Sequence, residues 1–406
     1  IIEALLLAIA GGGDVLEKLA PDSSASGILV FLPGWDDISR IKRRCKAHLV
    51  LGDERRFRIL PLHSQIRLEQ QREVFEKPPA GVRKVVLSTN IAETSITIDD
   101  IGVVIDCGRA KEVSYDVALR APTLNTSWVS RASVTQRAGR AGRTSPGVCY
   151  HLFSQRRAER LDEHRKPEIL RSDLNDLCLH SKLLLTRLGK PHVSTVEYLR
   201  RAPDPPEERS VRSSEELLRY IGALTTEGTG ESSPDSEACG QLTPLGVQLS
   251  VLPLGPQFAK IVMWATLLGV GEDALAVVSC LQSRDPFKSI DNGSEMSLSA
   301  ANKQIRDAKC ELAHPYLSDH VAVLHAVDRF EEARANGMSA AKRFCLDKSL
   351  AFHPLLAIKS TKEKLRKELK DRGLWSTHAE RHCGDIALLT AALGAGLFPN
   401  MARCNA

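Results

Sequence analysis

Several common sequence features are missing from this chain of 406 residues, and each absence excludes a class of protein. No apolar run reaches the roughly 18 residues that a membrane-spanning helix needs, so we expect no membrane partner. The ten cysteines never form a C-x-x-C pair, which argues against a disulfide scaffold or a zinc ribbon. A reducing compartment fits this cysteine usage, so we expect an intracellular protein, cytoplasmic or nuclear.

Two further absences concern the start of the chain and phosphate-binding loops. Residues 1–10 are apolar but lack a basic segment and an initiator methionine, so we interpret them as part of a chain cut from something longer rather than a signal peptide. A G-x-x-x-x-G-K-[ST] loop occurs nowhere, and the glycine run at residues 11–13 has no lysine after it. The chain alone therefore has no loop of this type to cradle nucleotide phosphates.

One arginine motif is the strongest signal that the chain does contain. In residues 136–143, Arg137, Arg140 and Arg143 recur at every third position, with Gly139 and Gly142 between them. In a helical turn this spacing predicts that the three arginines lie near one another. Clustering like charges opposes folding unless an anion is expected there, and guanidinium groups suit phosphate oxygens.

The two glycines and the overall charge bear on the same motif. Each glycine costs roughly 1 kcal/mol relative to alanine inside a helix, so we expect another backbone or a ligand to come close. A solvated basic helix is the alternative, and it would have no use for the glycines. The net charge of +5 permits nucleic-acid binding without proving it.

Residues 136–143 resemble motif VI of the superfamily 2 helicases, in the form found in DEAH-box RNA helicases. Residues 88–99 resemble motif V of the same family, and residues 31–35 and 61–65 resemble its motif IV region. The chain is most similar to the RNA helicase A-like branch. The resemblance covers nearly the whole chain, continuing through residues 167–169, 242–246, 285–287 and 318–320.

The first part of the sequence predicts an α/β fold. Five short apolar runs are typical of buried parallel strands, at residues 28–32, 58–60, 84–87, 103–105 and 148–153. Helices are predicted after Gly34, with a stripe of Trp35, Ile38, Ile41 and Cys45, and over residues 65–77. The alternation of strands and helices predicts a doubly wound parallel sheet, which the resemblance identifies as RecA-like. Residues 109–128 contain alternating stretches, such as residues 112–115, and are interpreted as a protruding β-hairpin, as in the resembled family.

The resemblance assigns a nucleotide site to four side chains. Phe75 would lie against the adenine, although a phenylalanine is more often a core residue. Ser95, Thr97 and Asp99 occupy alternate positions, so in an extended segment they share one face, which the family uses for the ribose and nearby groups. The implied cofactor is ATP with Mg²⁺, and no metal ligands are expected in this chain.

The resemblance also implies the catalytic and RNA-binding residues. Gln136 would order the attacking water or the phosphates, and Arg140 and Arg143 would stabilise charge that develops on the transferred phosphoryl group. Ser64, Thr89 and Asn90 would hold the RNA backbone without reading bases; the polar segment at residues 88–90 could equally be a plain helix N-cap.

The resembled family carries its phosphate loop and an Asp-Glu-x-His motif in a first motor domain, and both are absent here. Residues 162–165 are Asp-Glu-His-Arg, in which the histidine directly follows the glutamate, so they do not match Asp-Glu-x-His. We therefore expect residues 1–157 to be the second RecA-like motor domain, with the first preceding Ile1. This chain alone should not hydrolyse ATP.

The remaining residues predict helical modules. A leucine stripe at Leu170, Leu174, Leu177 and Leu184 indicates a helix, while residues 203–215 and 225–240 have loop composition. By resemblance, residues 158–253 form a winged helix, 254–388 a ratchet-like helical bundle and 389–406 the start of a truncated OB-fold. The basic residues 359–372 predict a solvated helix face rather than a phosphate-facing one.

Three functions remain open from the sequence. The leading interpretation is part of an ATP-dependent RNA helicase that moves 3′ to 5′ and unwinds duplexes or structured RNA. A non-catalytic RNA-binding scaffold derived from a helicase is the rival, and a DNA helicase is the third possibility. Metal binding by Cys310, His314, His320 and His325 is a minor alternative, since structural zinc usually has more tightly paired ligands.

Overall fold

The structure, a computed structural model, describes residues 1–10, 27–64, 66, 71–94, 96–141, 143, 146–225, 240–283, 285–287 and 298–400. These residues form two compact units, Ile1–Ser172 and Asp173–Ala406. The first unit contains the parallel sheet, and the second is built almost entirely from helices. The predicted fold class, an α/β sheet followed by helical modules, is confirmed.

Seven strands are described in the first unit, and five of them form one parallel sheet. The strands are β1 (Gly27–Phe31), β2 (Phe57–Leu62), β3 (Arg83–Ser88), β4 (Ile101–Asp106), β5 (Arg109–Asp116), β6 (Ala121–Trp128) and β7 (Val148–His151). The sheet order is β2-β3-β1-β4-β7, with every pairing parallel. All five sheet strands were predicted from their apolar runs.

The sheet is buried on both faces, which explains why its strands read as continuous apolar runs. Ile28 and Val30 of β1 belong to a core on one face, whereas Leu29 and Phe31 belong to a core on the other. Each fully buried side chain of this size contributes about 1.5–3 kcal/mol. A parallel sheet covered on both sides needs no polar face, so it shows no alternation.

The predicted hairpin is also confirmed. Strands β5 and β6 pair antiparallel from Arg109 opposite Trp128 to Asp116 opposite Ala121. Val113, Leu119 and Leu124 are all at least half exposed on it. The hairpin therefore presents apolar side chains outside the core of its unit.

Five helices are described in the first unit. They are α1 (Ile2–Ala10), α2 (Trp35–Ala47), α3 (Ile91–Thr94), α4 (Arg131–Ala138) and α5 (Gln155–Ala158). In α2, Ile38 and Cys45 are fully buried, which confirms the stripe. Of the helix predicted over residues 65–77, residues 65 and 67–70 lie outside the described residues, and the described part contains a 3-10 turn, Glu73–Phe75.

The second unit consists of eleven described helices. They are α6 (Asn175–Arg187), α7 (Thr195–Leu199), α8 (Glu208–Tyr220), α9 (Pro244–Val251), α10 (Pro256–Leu268), α11 (Gly271–Leu281), α12 (Leu298–Ala313), α13 (Asp319–Ala335), α14 (Met338–Asp347), α15 (Phe352–Asp371) and α16 (Ile386–Leu397). Helix α9 begins at Pro244, where the Thr243 hydroxyl accepts a hydrogen bond from the Gly246 amide and proline occupies the first turn.

Two predictions about the second unit need correction. The helix indicated by the leucine stripe is present as α6, but of the stripe only Leu174, at its N-cap, is buried; Leu177 and Leu184 are exposed, and the helix packs through Cys178, Leu179 and Leu185. The spacing of leucines alone does not identify this face, because one of its buried side chains is Cys178. The loop predicted over residues 203–215 ends at α8, where charged and serine residues cover a buried apolar stripe. The loop predicted over residues 225–240 lies almost wholly outside the described residues.

The structure changes one expectation near the carboxyl end. Residues 389–397, expected to start an OB-fold, belong to α16, which packs on α10; the Gln257 side chain donates a hydrogen bond to the Leu397 carbonyl. This segment is rich in alanine and leucine, which favour helix. The basic residues 359–372 lie in α15, where Leu365 and Leu369 are buried. Residues 158–172 lie in the first unit, and the four-domain division itself stays a prediction.

No single described helix has the length and apolar character to span a membrane.

Gly147 gives a direct test of how β7 is held. A Cβ atom at this position would lie 1.9 Å from the Ala141 carbonyl oxygen and 2.6 Å from that of Gly102. We expect Gly147→Ala to cost about 1–3 kcal/mol, which lowers the melting temperature by about 2–4 °C per kcal/mol in a unit of this size. Thermal unfolding measures the shift. Gly139→Ala is the matched control, because a Cβ there makes only ordinary contacts at 3.4 and 3.5 Å; equal shifts in the two variants would contradict this account.

Candidate functional site

Arg137 is the buried centre of the arginine motif. It lies in α4, which begins at Ser130, whose hydroxyl accepts a hydrogen bond from the Ser133 amide. Its Nε donates to Glu93 Oε2 at 3.0 Å and its Nη1 to Asp106 Oδ1 at 2.8 Å. The guanidinium also lies over the ring of Phe31, with its Cζ 4.8 Å from the centroid. One charge therefore joins α3, α4 and the ends of two strands.

The carboxylate of Asp106 is ionised because its partners outweigh the cost of burial. Burial raises the pKa of Asp106, but hydrogen bonds from His151, Arg137 and the Gly108 amide, together with the Arg137 charge, bring it below its ordinary value. Burial likewise lowers the pKa of Arg137, and Asp106 and Glu93 more than compensate. Both groups are thus charged at neutral pH, and the pair is dry and fixed.

Arg140 holds a different part of the site. It is only 7% exposed, and its guanidinium donates to the backbone carbonyls of Glu93 and Ile96, the latter at 2.7 Å. Burial and the nearby charge of Arg143 lower the pKa of Arg140, and Glu93 opposes this shift. Arg140 therefore fixes the irregular segment that follows α3 and leads to Thr97.

Arg143 brings a predicted catalytic residue against a predicted nucleotide-binding residue. Its Nη1 donates to Thr97 Oγ1 at 2.7 Å, and both side chains are exposed. Asp99 is exposed two residues further along, while Ser95 lies outside the described residues. The arginine motif and the segment after α3 thus form one surface, as the resemblance to motifs V and VI implies.

The expected arrangement of the three arginines was wrong in two respects. Helix α4 ends at Ala138, so Arg140 and Arg143 do not share a helical turn with Arg137. The anion expected beside the cluster is supplied for Arg137 by two carboxylates of the protein. The protein does not crowd Gly139 either, and Gly142 lies outside the described residues.

The predicted RNA-binding residues lie beside one another at the carboxyl end of the sheet. Leu62 of β2 pairs with Ser88 of β3, and Ser64 and Asn90 each follow two residues later. Ser64 and Asn90 are exposed, whereas Thr89 is only 7% exposed. Helix α3 begins directly after Asn90, so the N-cap alternative stays open beside the RNA-binding role.

The remaining predicted residues, Gln136 and Phe75, are both on the surface. Gln136 is exposed on α4, next to the buried Arg137. Phe75 is 50% exposed on its 3-10 turn, and the neighbouring Val74 makes the core contact instead. Phe75 is therefore not a core residue, and its exposed aromatic ring is free of the core packing that would prevent it from stacking on a nucleotide base.

Metal ligands do not cluster in the part of the chain that the structure describes. No group of three histidine, cysteine, aspartate or glutamate side chains is arranged there to hold a metal ion. His325 Nδ1, one member of the minor alternative, lies 2.7 Å from the Leu312 carbonyl oxygen. The described residues therefore fit the nucleotide part of ATP with Mg²⁺ better than the metal.

Comparison with known proteins agrees with this geometry. The helicase conserved C-terminal domain matches residues 14–145, the winged-helix part of the helicase-associated domain matches residues 214–254, and its ratchet-like part matches residues 255–323. The DExH-box ATP-dependent RNA helicase DExH2 of Arabidopsis thaliana is 38% identical over 96% of this chain and 23% of its own length. The ATP-dependent DNA/RNA helicase DHX36 of Homo sapiens is 37% identical over 96% of this chain and 36% of its own length.

The chain belongs to the DExH-box helicases. It spans about a quarter to a third of the length of the curated relatives it matches. The arginine motif and the segment after β3 both lie within the range that matches the helicase conserved C-terminal domain, and their identification with motifs VI and V stays a prediction.

Sequence reasoning missed the residues that hold the site in place. Asp106 and Glu93 were not selected, although Asp106 ends an apolar strand and Glu93 lies inside motif V. Polar residues at a strand's carboxyl end were the available signal. Their pairing with Arg137 is a tertiary contact over 31 and 44 residues, which spacing along the chain does not reveal.

The Asp106–Arg137 pair predicts a large loss of stability on mutation. Asp106→Asn leaves a buried guanidinium with one carboxylate partner, so we expect a loss of about 3 kcal/mol in unfolding free energy. Because the folded pKa of Asp106 is lowered, its contribution is present above the unfolded pKa and disappears as pH falls through the folded pKa. The variant should therefore lose less stability than the wild type on acidification.

Unfolding of both proteins between pH 3 and pH 7 measures this. Asp37→Asn is the matched control, because Asp37 pairs with Arg40 at 2.6 Å in solvent. We expect that change to stay within about 0.5 kcal/mol. An Asp106→Asn variant as stable as the control would refute a structural role for the buried pair.

Proposed function

We propose that this chain is part of an ATP-dependent helicase that couples ATP hydrolysis to 3′–5′ movement along RNA and to unwinding of duplexes or structured RNA. The observation that carries the proposal is the 2.7 Å hydrogen bond from Arg143 to Thr97, which joins motif VI to the nucleotide segment of motif V. The names of the relatives, which include RNA helicases and DNA/RNA helicases, support the same activity.

In this proposal the first unit supplies one wall of the nucleotide site. Arg143, exposed and bound only to a neutral hydroxyl among the described residues, contacts the phosphates. Arg140 contributes its charge while it keeps Thr97 in place, and Gln136 orders water or phosphate oxygens. Bound ATP with Mg²⁺ supplies the phosphoryl group whose transfer drives the motion. These side chains stabilise negative charge where it develops.

The RNA path in this proposal runs past the carboxyl ends of β2 and β3. Ser64 and Asn90 are exposed there, and Thr89 lies between them and the buried strand. Short hydroxyl and amide groups bind phosphates and sugars without distinguishing bases. We therefore propose a helicase with little sequence specificity, in which residues 158–253 and 254–388 act as winged helix and ratchet.

This chain by itself is proposed to be inactive, because phosphate-loop and Asp-Glu-x-His residues are absent from it. The Mg²⁺ ligands would belong to another part of the full protein. The rival function is an RNA-binding scaffold. A scaffold would not need exposed side chains at Gln136 and Arg143, because it performs no phosphoryl transfer. A scaffold would bind RNA as well but would not hydrolyse ATP.

Arg143 separates the enzyme from the scaffold. In the full-length protein we expect Arg143→Ala to lower RNA-stimulated ATP turnover by about 10³-fold, since one arginine that contacts the transferred phosphoryl group has an effect of this order. The RNA dissociation constant should change by less than about threefold, because Arg143 is not among the residues proposed to bind RNA. Steady-state ATPase and RNA-binding assays measure both.

Arg40→Ala is the matched control, because Arg40 is an exposed arginine of the same unit whose described ion pair is with Asp37 on its own helix. It should leave turnover and RNA binding unchanged. An Arg143→Ala protein with normal turnover would rule out the catalytic assignment.

The choice of nucleic acid has its own test. We expect the full-length protein to unwind an RNA duplex with a 3′ single-stranded tail and to fail on the same duplex with a 5′ tail. A DNA duplex with a 3′ tail is the comparison. Faster unwinding of DNA would favour the DNA helicase, and no ATP-dependent unwinding of any substrate would favour the scaffold.

A further inference from the structure

Lys84 is a fully buried cation whose role the nucleotide site does not yet explain. It is the second residue of β3 and is 1% exposed. Three of the other four buried residues of this strand, Val85, Val86 and Leu87, are apolar. Burying an ammonium group is costly unless its charge and its donors are all satisfied. A partner set of that kind is present around Lys84.

Three acceptors surround the Lys84 ammonium group. Its Nζ donates to the backbone carbonyls of Val74 at 2.7 Å and Glu76 at 3.1 Å, and lies 2.7 Å from Asp100 Oδ1. An ammonium group has three N–H donors, so these contacts satisfy it completely. Lys84 thereby joins two surface segments that are far apart in the sequence.

The two segments each end beside a residue of the candidate nucleotide site. The carbonyls of Val74 and Glu76 flank Phe75, the half-exposed aromatic ring. Asp100 directly follows Asp99 and is itself held by the Gly27 amide, which donates to its carbonyl at 2.7 Å. Lys84 therefore sets the distance between the exposed ring and the segment that carries Thr97 and Asp99.

We propose that Lys84 is a positioning residue of the nucleotide site, which holds Phe75 where it can stack on the base while the segment from Thr97 to Asp99 holds the ribose. This inference rests on the proposed ATPase function. A buried ion pair contributes little net stability compared with an apolar side chain of the same volume, so orientation is the benefit that Lys84 offers over leucine or methionine.

The proposal predicts a change that depends on the base. In the full-length protein at saturating RNA, Lys84→Met should raise KM for ATP about 5- to 30-fold, the effect of losing most of one aromatic–base stack. The kcat should stay within about twofold, because Arg140 and Arg143 are not in contact with Lys84. Ribose 5-triphosphate, which has no base to stack, should show the same KM with both proteins.

Two further variants separate positioning from general damage. Phe75→Ala should raise KM for ATP by a similar factor, and adding Lys84→Met to it should raise KM no further. Arg58→Met is the matched control, because Arg58 binds the same turn through the Glu73 and Glu76 carboxylates, at 3.3 and 3.7 Å, but in solvent. That variant should leave KM for ATP within about twofold.

Asp100→Asn covers the case in which Lys84→Met does not fold. Asparagine removes the charge but keeps a side-chain oxygen that can accept a hydrogen bond from Lys84 Nζ, so the two segments stay linked more weakly, and KM for ATP should rise about two- to fivefold without a change for ribose 5-triphosphate. An unchanged ratio of the two KM values in the folded variants, or multiplying effects of Lys84→Met and Phe75→Ala, would overturn the proposal. A wild-type protein without RNA-stimulated ATP turnover would instead overturn the proposed function itself.

Discussion

The ion cluster of Arg137, Asp106 and Glu93 is the constraint on which the rest of the site depends. A guanidinium with no exposure to water is tolerated only because two carboxylates and an aromatic face surround it. Removing either carboxylate would leave charge in a dry site, so the three elements that carry these residues are fixed relative to one another. The end of α4, and with it the chain that leads to Arg140 and Arg143, takes its position from this cluster.

The segment after α3 shows why that fixed position matters. It forms neither helix nor strand between Ile96 and Ile98, so its own backbone hydrogen bonds cannot define its shape. Arg140 satisfies the carbonyls of Glu93 and Ile96 from one side, and Arg143 reaches the Thr97 hydroxyl. Glu93 thus contacts Arg137 with its side chain and Arg140 with its backbone. A shift of either motif is thereby transmitted to the other through one residue.

The sequence predicted the architecture better than the contacts within it, for a physical reason. Buried parallel strands need unbroken apolar runs, and such runs are visible without any knowledge of tertiary structure, so all five sheet strands were found. Partners of a charge are chosen in three dimensions, so the spacing of Arg137, Arg140 and Arg143 indicated an anion but not that carboxylates of the protein supply it. In α6 the buried face includes Cys178, and a search for leucine periodicity selected the exposed leucines instead.

The three arginines of the motif, equally spaced in sequence, differ in what is left for a ligand. Arg137 is enclosed and neutralised by two carboxylates, whereas the hydrogen bonds described for the nearly enclosed Arg140 go to neutral carbonyls. Arg143 is exposed and bonded to a neutral hydroxyl; burial and the charge of Arg143 lower the pKa of Arg140, and Glu93 opposes this shift. Repulsion between the two neighbouring cations raises the energy of the free protein, and an anion placed between them relieves that repulsion. The buried pair therefore supplies rigidity, while the other two arginines supply positive charge at the surface that Thr97 and Asp99 share.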